Sequence, residues 1–506
     1  VTRVQMALCI KCQKRLLQNK MKYLWRYFWQ GNSKSSTSEG QQLVDKHSWI
    51  ADHAPVFRVP GNQIDVISKP SDFYQTLQNE ANKARKRIVI SSLYLGTGKL
   101  ENDLVNVIHA NLKSRESTED VRVRVLLDYT RGFRGQHNSV TMLLPVLQEF
   151  HKSVQISLYH TPKLRGFWKQ VMPERWNEII GVQHMKVYMF DDNLLMSGAN
   201  LSNDYFTNRQ DRYIIFRNCP VLCDFFEDLV QAVSSISFTV KPSGSVELPN
   251  GLDTHPFKAK DGGYLYQKLA RERILPVISS LERNKKAQEL TSSQELDTLV
   301  YPIIEMGPFN ISVDNFVTQN FLVTASRESR IYLASGYFNL TENYKQLIVN
   351  NATAQFEILM ASPKVNGFYG ARGMAGGIPH AYTNIAKLFY QSVCKKCQQD
   401  RIRMYEYYRD RWTFHAKGLW YYPPGARLPT TTFIGSPNFG YRSAVRDLEA
   451  QLVVVTENPQ LQEKLHQEQT RLYSRSEAVT EETFKRPERR VPLWVRTVTT
   501  FFKNFF

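Results

Sequence analysis

The amino-acid sequence predicts an α/β protein built from two homologous halves, each a mixed sheet flanked by helices. Three observations support this fold class. Short apolar runs rich in β-branched residues alternate with amphipathic segments, which favours sheets covered by helices. Residues 414–443 repeat the spacing of chemical groups found in the stretch from Gln183 to Phe206. The segments that precede these two stretches also match in pairs.

The upstream segments give the order of elements in each half. The run RIVISSLYLGTGKLENDLVNVI from Arg87 parallels RIYLASGYFNLTENYKQLIV from Arg330. Likewise, VRVRVLLDYTRG from Val121 parallels QFEILMASPKVNG from Gln355. In both halves an apolar β-rich run precedes a helix-like segment, so we expect corresponding strands and helices in the two halves.

The repeated stretch carries the same four kinds of chemical group in each half. These groups are His184, Lys186, Asn200 and Asp211 in the first half, and His415, Lys417, Asn438 and Glu449 in the second. Each carboxylate stands eleven residues after its Asn and opens an apolar strand-like run. Both copies therefore predict strand, turn, strand, turn, strand.

These residue types suit attack on a phosphodiester. An imidazole nucleophile needs a carboxylate on its far nitrogen, cations near the phosphoryl oxygens and an acid for the leaving group. In a strand, His and Lys two positions apart point to the same face. Two repeats facing each other across a pseudo-dyad would place both sets around one phosphorus, in one shared active site.

The paired motifs resemble those of the phospholipase D superfamily. The first copy has the whole H-x-K-x4-D pattern with Asp191, and the second has the G-S-x-N pattern with Ser436 and Asn438. The first copy has Ser-Gly-Ala-Asn instead of G-S-x-N, and the second lacks the Asp. The resemblance implies a phosphohistidine intermediate formed without a metal. By analogy with members whose N-terminal motif attacks, we expect His184 as nucleophile and His415 as general acid and base, with the reverse order as the alternative.

Within that superfamily the chain resembles phosphatidyltransferases, through segments such as LLDYTRGFRGQHNSVTMLLP, HTPKLRGFW and SPKVNGFYGARGMAGG. This resemblance implies CDP-diacylglycerol as donor, glycerol 3-phosphate as acceptor and CMP as product, on the route to cardiolipin. Basic, glycine-rich loops then gain a role as sites for a pyrophosphate and a second phosphate. The candidate substrate-binding residues are Arg131, Arg134, Lys364 and Arg372.

Charge and the chain ends bear on location. The net charge of +18 implies a polyanionic partner, either nucleic acid or an anionic membrane. With the resemblance, we expect an anionic mitochondrial membrane surface and no nucleic acid. Residues 1–38 hold eight Lys or Arg and no acid, which is typical of mitochondrial targeting. No apolar run approaches the roughly 18 residues of a spanning helix, so we expect a peripheral protein of the inner membrane, on its matrix side.

The predicted organisation has four parts. They are a basic leader over residues 1–50, a first half over 51–240, a Pro/Gly/Ser-rich linker over 241–256, and a second half over 257–506. The C-terminal stretch VPLWVRTVTTFFKNFF is either an interfacial anchor or a helix packed on the body. The oligomeric state is unknown.

The cysteines do not predict a cofactor. Six cysteines fall in three short-spaced pairs, and the pair Cys394/Cys397 has no nearby Cys or His partner for zinc. We therefore expect free thiols, no metal and no cofactor. Another phospholipase D-type enzyme, either a nuclease or a phospholipid hydrolase, is the main alternative function, and a non-enzymatic membrane-binding module is the second.

Overall fold

The computed structural model describes residues 47–115, 121–166, 178, 180–249, 252, 254–258, 263–279 and 296–502. Nearly all of the predicted leader lies outside the described residues, as do Phe505, Phe506 and the side chains of residues 500–502. The chain from Trp49 to Phe506 forms one compact unit, which holds both predicted halves.

Strands account for most of the framework. In chain order they are β1 (Phe57–Val59), β2 (Ile64–Ile67), β3 (Arg87–Ser91), β4 (Arg122–Asp128), β5 (Val154–Tyr159), β6 (Val187–Phe190), β7 (Asn193–Ser197), β8 (Arg209–Gln210), β9 (Tyr213–Phe216), β10 (Phe238–Val240), β11 (Val246–Glu247), β12 (Thr298–Met306), β13 (Ile311–Ser312), β14 (Arg330–Ser335), β15 (Gln355–Ala361), β16 (Ile402–Tyr407), β17 (Thr413–Phe414), β18 (Lys417–Tyr422), β19 (Thr431–Gly435), β20 (Leu448–Thr456) and β21 (Ser476–Ala478).

Helices connect these strands. In chain order they are α1 (Pro70–Lys83), α2 (Lys99–Arg115), α3 (Tyr129–Gly132), α4 (Ser139–Glu149), α5 (Asn203–Thr207), α6 (Pro220–Ser234), α7 (Tyr264–Ile278), α8 (Val313–Thr324), α9 (Glu342–Gln346), α10 (Ile378–Lys395), α11 (Tyr441–Val445), α12 (Pro459–Tyr473), α13 (Glu481–Lys485) and α14 (Leu493–Phe502).

The two sheets repeat one arrangement. The order β5-β4-β3-β6-β7-β9 in the first sheet matches β16-β15-β14-β18-β19-β20 in the second. In each, three parallel strands are followed by antiparallel partners. The prediction of two homologous mixed sheets flanked by helices is confirmed.

Local sequence explains where the elements form. Every residue of β3 and of β6 is buried, and apolar side chains predominate in both, as expected for strands in the middle of a sheet. Helix α1 begins with a proline and has Asp72 in its first turn, and both features favour a helix N-terminus. Helix α4 begins with a capping box, in which Asn138 accepts from the Thr141 N–H.

Two apolar cores hold the unit together. One core lies between α1, α2, α4 and the first sheet. The larger core joins residues of both sheets with helices α6, α7 and α12, and it includes Met189, Phe216, Trp420 and Leu452. Since the larger core draws on both halves, burial of apolar surface fixes the two repeats against each other.

Several segments tie the repeats together in ways that sequence did not indicate. Strand β1 comes from the first predicted half but pairs with β12 of the second sheet. Within the predicted linker, β11 pairs with β10 and so extends the first sheet. Helix α7 packs on the first half, where the Tyr266 hydroxyl donates to the Ile236 carbonyl at 2.7 Å. The predicted boundaries stay predictions.

The C-terminal helix α14 lies on α10. Val495 is buried in a small cluster with Val491 and Ala381, while Leu493 and Trp494 are exposed on the same segment. No helix among the described residues is long and apolar enough to cross a membrane.

Candidate active site

The first histidine is held by the second half. His184 lies just before β6, and its backbone N–H donates to the Leu448 carbonyl at 2.9 Å. Its Nδ1 lies 2.9 Å from Oε2 of Glu449. The same carboxylate accepts from Ser443 Oγ at 2.6 Å and from the Ser436 hydroxyl. The carboxylate that orients the first histidine is therefore supplied by the other repeat.

The second histidine makes the reciprocal contacts. The backbone N–H of His415 donates to the Gln210 carbonyl at 2.8 Å, and its Nδ1 lies 2.6 Å from Oδ2 of Asp211. On the other ring nitrogen, Nε2 lies 3.3 Å from the Tyr205 hydroxyl. In both cases the carboxylate holds Nδ1, which leaves Nε2 as the nitrogen available for reaction.

Both motif lysines are fully buried beside their histidines. Lys186 Nζ donates to the His184 carbonyl at 2.6 Å, and Lys417 Nζ donates to the His415 carbonyl at 2.9 Å. Burial lowers the pKa of both ammonium groups. A side chain at Gly198 would crowd Lys417, because a Cβ there would lie 2.6 Å from Nζ. Two such cations are suited to hold phosphoryl oxygens in a water-poor site.

The motif asparagines leave acceptor atoms unused. The Oδ1 atoms of Asn200 and Asn438 are buried without a hydrogen-bond partner. Asn200 Nδ2 donates to the Tyr205 hydroxyl at 3.2 Å. Buried polar atoms are normally paired, so unpaired amide oxygens beside the two histidines indicate a place for a polar substrate.

The two histidines differ in their electrostatic surroundings. Burial lowers the pKa of His184, and the Glu449 carboxylate opposes that shift. Burial, Lys417 and Arg209 together hold the pKa of His415 well below its usual value. Both imidazoles are therefore held towards the neutral form, His184 against the opposing effect of a carboxylate and His415 beside two cations.

The two carboxylates differ in the same sense. Burial alone would raise the pKa of Glu449, but His184 and Lys186 bring it down to about 2. Burial raises the pKa of Asp211, although Lys417 opposes the shift. The carboxylate beside His184 is thus the more strongly ionised of the pair.

Asp191, the carboxylate of the first H-x-K-x4-D pattern, lies in a turn, and its place among the catalytic residues stays a prediction. It occupies the turn between β6 and β7 at a φ of 51°. Its carboxylate accepts the backbone N–H groups of residues 85, 86 and 87 at 2.7–3.1 Å. The strand β6 separates it from His184 by seven positions, or roughly 20 Å of extended chain. Asp191 therefore supports a turn.

The first basic loop borders the site through an acidic partner. Arg131 and Arg134 both pair with Glu178, at 3.1 and 2.8 Å, and the Arg131 guanidinium lies 4.1 Å from the centre of the Tyr94 ring. Burial lowers the pKa of Arg442, but Asp447 and then Glu178 more than offset this effect and raise it. This places the two predicted arginines in a charged rim that reaches the second half.

The second basic loop approaches the site from the other side. A Cβ at Gly367 would lie 2.8 Å from the Tyr337 hydroxyl and 3.4 Å from Nη2 of Arg209, so the backbone here comes close to the side chains around His415. Lys364 and Arg372 flank this approach and are exposed. Their role in substrate binding stays a prediction.

Sequence reasoning missed a second set of residues around the histidines. They are Tyr205, Arg209, Arg442, Ser443 and Asp447, all within the segment that joins each motif Asn to its carboxylate. A signal was available, because the two segments have equal length and can be aligned position by position. Opposite charges at matching positions would have marked them.

A duplicated mixed-sheet fold with two carboxylate-held histidines at its centre defines an enzyme of the phospholipase D type. A solved structure, the phosphatidylserine synthase of Haemophilus influenzae Rd KW20, is similar over 92% of this chain and 97% of that one, with a TM-score of 0.66 and 17% identity. That likeness shows the fold. No protein-family model matches the chain.

Curated relatives identify the family. The mitochondrial CDP-diacylglycerol–glycerol-3-phosphate 3-phosphatidyltransferase of Cricetulus griseus is 47% identical over 484 residues, which cover 92% of this chain and 87% of the relative. The Homo sapiens protein of the same name is 46% identical, covering 92% and 86%. The chain belongs to this family of phosphatidyltransferases.

Proposed function

We propose that this chain transfers the phosphatidyl group of CDP-diacylglycerol to glycerol 3-phosphate, releasing CMP and forming phosphatidylglycerophosphate for phosphatidylglycerol and cardiolipin synthesis. The relatives' shared name gives the substrates. The observation that carries the mechanism is the reciprocal pairing of each histidine with a carboxylate of the other half. Two oriented imidazoles around one pocket suit a phosphatidyl-histidine intermediate, with one attacking and the other moving the proton.

The surrounding groups have distinct tasks in this proposal. Lys186 and Lys417 stabilise negative charge on the phosphoryl oxygens. Asn200 and Asn438 orient the substrates through their side-chain amides, whose Nδ2 N–H groups can donate to phosphoryl oxygens and whose unpaired Oδ1 atoms can accept from a hydroxyl. The rim of Arg131, Arg134 and the second basic loop holds the remaining phosphates, as guanidinium groups often do. The expectation that no metal or cofactor takes part stays a prediction.

One assay separates this function from the main alternative. Purified protein is given CDP-diacylglycerol in mixed micelles, with and without glycerol 3-phosphate, and both CMP and the lipid product are measured. Acceptor-dependent CMP release with phosphatidylglycerophosphate as product is expected. Equal CMP release without acceptor, with phosphatidic acid as product, would make the chain a phospholipid hydrolase.

The proposal includes a location on the matrix side of the mitochondrial inner membrane, as a peripheral protein. Relatives carry the word mitochondrial in their names, and a net charge of +18 suits an anionic lipid surface. An apolar surface also lies next to the active site. The ring of Phe368, beside the exposed Tyr369, lies 5.8 Å from the Tyr337 ring, which lies 5.3 Å from the His415 ring.

Helix α14 offers a second exposed apolar surface. The Trp494 ring packs over Gly377, at the start of α10, and Trp494 and Leu493 remain 49% and 78% exposed. Aromatic and apolar side chains of this kind insert at lipid interfaces. A lipid substrate could then reach the histidines without leaving the membrane surface.

Liposome flotation tests this location. The double variant Leu493→Ser/Trp494→Ser should reduce binding to cardiolipin-containing vesicles by roughly tenfold, through loss of buried apolar area, while activity in detergent micelles stays near normal. Tyr264→Ser, at a 68% exposed residue of α7, is the matched control and should bind normally. Unchanged binding of the double variant would exclude α14 from the membrane contact.

A further inference from the structure

The segment after each motif Asn carries an ion pair whose polarity is reversed between the halves. Four residues after Asn200 stands Asp204, which pairs with Arg209 at 3.0 Å. At the matching positions of the second half, Arg442 pairs with Asp447 at 3.4 Å. The frame is the same in both copies, since α5 and α11 occupy matching positions, but the cation and the anion have exchanged places.

The cation of the first pair faces His415. Arg209 is the register partner of Thr413 in the β8–β17 ladder, and its Nε donates to Thr413 Oγ1 at 3.0 Å. Its guanidinium lies 4.7 Å from the centre of the Tyr205 ring. The Tyr205 hydroxyl in turn lies 3.3 Å from His415 Nε2. A permanent positive charge and a phenol therefore flank this imidazole.

The anion of the second pair faces His184. Asp447 Oδ1 accepts the backbone N–H of Val182 at 3.0 Å, two residues before the histidine. Ring-nitrogen and carboxylate atoms of His184, Asp447 and Glu449 lie within 4.8 Å of one another. Where the first half has Tyr205, the second has Ser443, which donates to Glu449. Two carboxylates therefore flank this imidazole.

The other charged and titratable groups around the histidines do not cancel this difference. Those near His184 are Glu449, Lys186, Asp447 and the Arg442 that pairs with Asp447; those around His415 are Asp211, Tyr205, Tyr337, Lys417, Arg209, Lys186, His184 and the Asp204 that pairs with Arg209. The first set holds two carboxylates, one ammonium group and one guanidinium group. The second holds two carboxylates, of which Asp204 is exposed, against three cations.

We propose that this reversed ion pair divides the labour between the histidines, so that His415 attacks as the neutral nucleophile and His184 carries the proton. Arg209 and Asp447 are the positioning residues that set these states. The proposal rests on the proposed function and reverses the order expected from the sequence. It also accounts for the Tyr205 hydroxyl, which can donate to the lone pair of a neutral Nε2 until substrate displaces it.

The two chemical steps balance with these groups alone. His415 Nε2 attacks the phosphatidyl phosphorus of CDP-diacylglycerol, a P–N bond forms, the bond to the bridging oxygen breaks, and CMP leaves with a proton from His184. The hydroxyl of glycerol 3-phosphate then gives its proton to neutral His184 while its oxygen attacks phosphorus. The P–N bond breaks, and its electron pair returns to His415.

Adduct mapping tests the order. His184→Ala is mixed with CDP-diacylglycerol without acceptor, quenched in alkaline denaturant and analysed by peptide mass spectrometry. A slowed but stoichiometric CMP burst and a phosphatidyl adduct on His415 are expected, because a phosphate leaving group can still depart, at a reduced rate, without the acid that His184 supplies. His415→Ala should give neither a burst nor an adduct. An adduct on His184, in His415→Ala or in the acceptor-starved wild type, would overturn the proposal.

A pH profile tests the positioning residues. In the pH profile of kcat/KM, protonation of the His415 nucleophile produces the acidic limb, and loss of the proton from His184 produces the alkaline limb. Arg209→Gln should move the acidic limb up, and Asp447→Asn should move the alkaline limb down, each by about half to one pH unit. The profile thus narrows from both sides. Arg209→Lys and Asp447→Glu keep the charges and should restore the limbs.

Two surface variants serve as matched controls, Arg411→Gln at a 92% exposed side chain and Asp103→Asn in an i,i+4 pair. Both should leave the profile unmoved. If Arg209→Gln and Asp447→Asn lowered the rate but left both limbs of the pH profile at their wild-type positions, the two residues would have a purely structural role. That result would overturn the proposal. Because the burst and the adduct need no acceptor, they can succeed even if glycerol 3-phosphate proves to be the wrong acceptor.

Discussion

The two halves of this protein share a framework and differ in what surrounds their histidines. Six strands of each sheet follow the same order, and the backbone N–H groups of His184 and His415 donate to carbonyls at matching positions of the other repeat, Leu448 and Gln210. The side chains nearby do not match, since Gly198 corresponds to Ser436 and Tyr205 to Ser443. A symmetric frame brings two imidazoles to one phosphorus, but the reaction needs one imidazole neutral and the other protonated. The comparison teaches that duplication supplies the geometry and local substitutions supply the chemistry.

A second difference concerns stability. Arg212 of the first half is fully buried in the second half, where it pairs with Glu468 at 2.8 Å and its guanidinium lies 3.8 Å from the Trp420 ring. The matching residue of the second half is Ala450, whose methyl side chain cannot form an ion pair. The halves are therefore joined by an asymmetric buried ion pair as well as by the shared core.

Removing either histidine should have the largest effect on kcat of all the changes that test the comparison of the two halves. His184→Ala and His415→Ala should each lower kcat by roughly a thousandfold or more, because a nucleophile or its proton partner is lost. The double variant should be little worse than the poorer single variant. Turnover in the CMP assay is the measurement, with His466→Gln as control. A loss under tenfold for either histidine would remove it from the site.

Neutralising the two carboxylates sharpens the comparison. Glu449→Gln and Asp211→Asn should lower kcat by roughly a hundredfold or more, because an amide cannot stabilise a protonated imidazole. Glu449→Gln should be the more damaging, since Glu449 is the more strongly ionised group. Equal losses would mean that the surroundings of the two histidines are equivalent in practice.

The same carboxylate gives a pH dependence of stability. The pKa of Glu449 is lowered in the folded state to about 2, so its contribution is present above its unfolded pKa of about 4.5. It is lost as pH falls towards about 2. The stability gap between wild type and Glu449→Gln, measured by urea unfolding, should therefore shrink between pH 7 and pH 3. A gap that widened on acidification would have the wrong sign.

Breaking the asymmetric ion pair should affect stability more than chemistry. Arg212→Leu leaves Glu468 buried without its partner, at a cost of about 3–5 kcal/mol in the free energy of unfolding. Urea denaturation is the measurement. Arg212→Leu/Glu468→Leu should recover part of the loss. A double variant that loses the sum of the two single losses would show that the pair is not coupled.

The smallest effect is expected at Asp191. Asp191→Ala removes the acceptor for three backbone N–H groups and should cost about 1–3 kcal/mol of stability, with kcat changed less than about threefold. Urea unfolding and the CMP assay measure the two quantities. Tyr422, at the matching position of the second half, bonds His466 and Gln469 instead, so Tyr422→Phe should cost less. A hundredfold loss of kcat in Asp191→Ala would place that residue in the catalytic set.

The sequence by itself determined the duplicated fold and most of the reacting groups. Short apolar runs with intervening amphipathic segments depend only on local pattern, and the repeated His, Lys, Asn and carboxylate were visible as matching positions. The same motif includes Asp191, but its spacing does not name the partners of that carboxylate, which are the backbone N–H groups of residues 85–87.

Tertiary structure alone decided which carboxylate serves which histidine. Asp211 and Glu449 lie over two hundred residues from the imidazoles they hold, and each pairing forms only when the shared core docks the two sheets. The same docking brings Arg209 beside His415 and Asp447 beside His184. Electrostatic effects on a buried group depend on distance and desolvation in three dimensions, so sequence spacing can name the charged residues but cannot say which histidine each one faces.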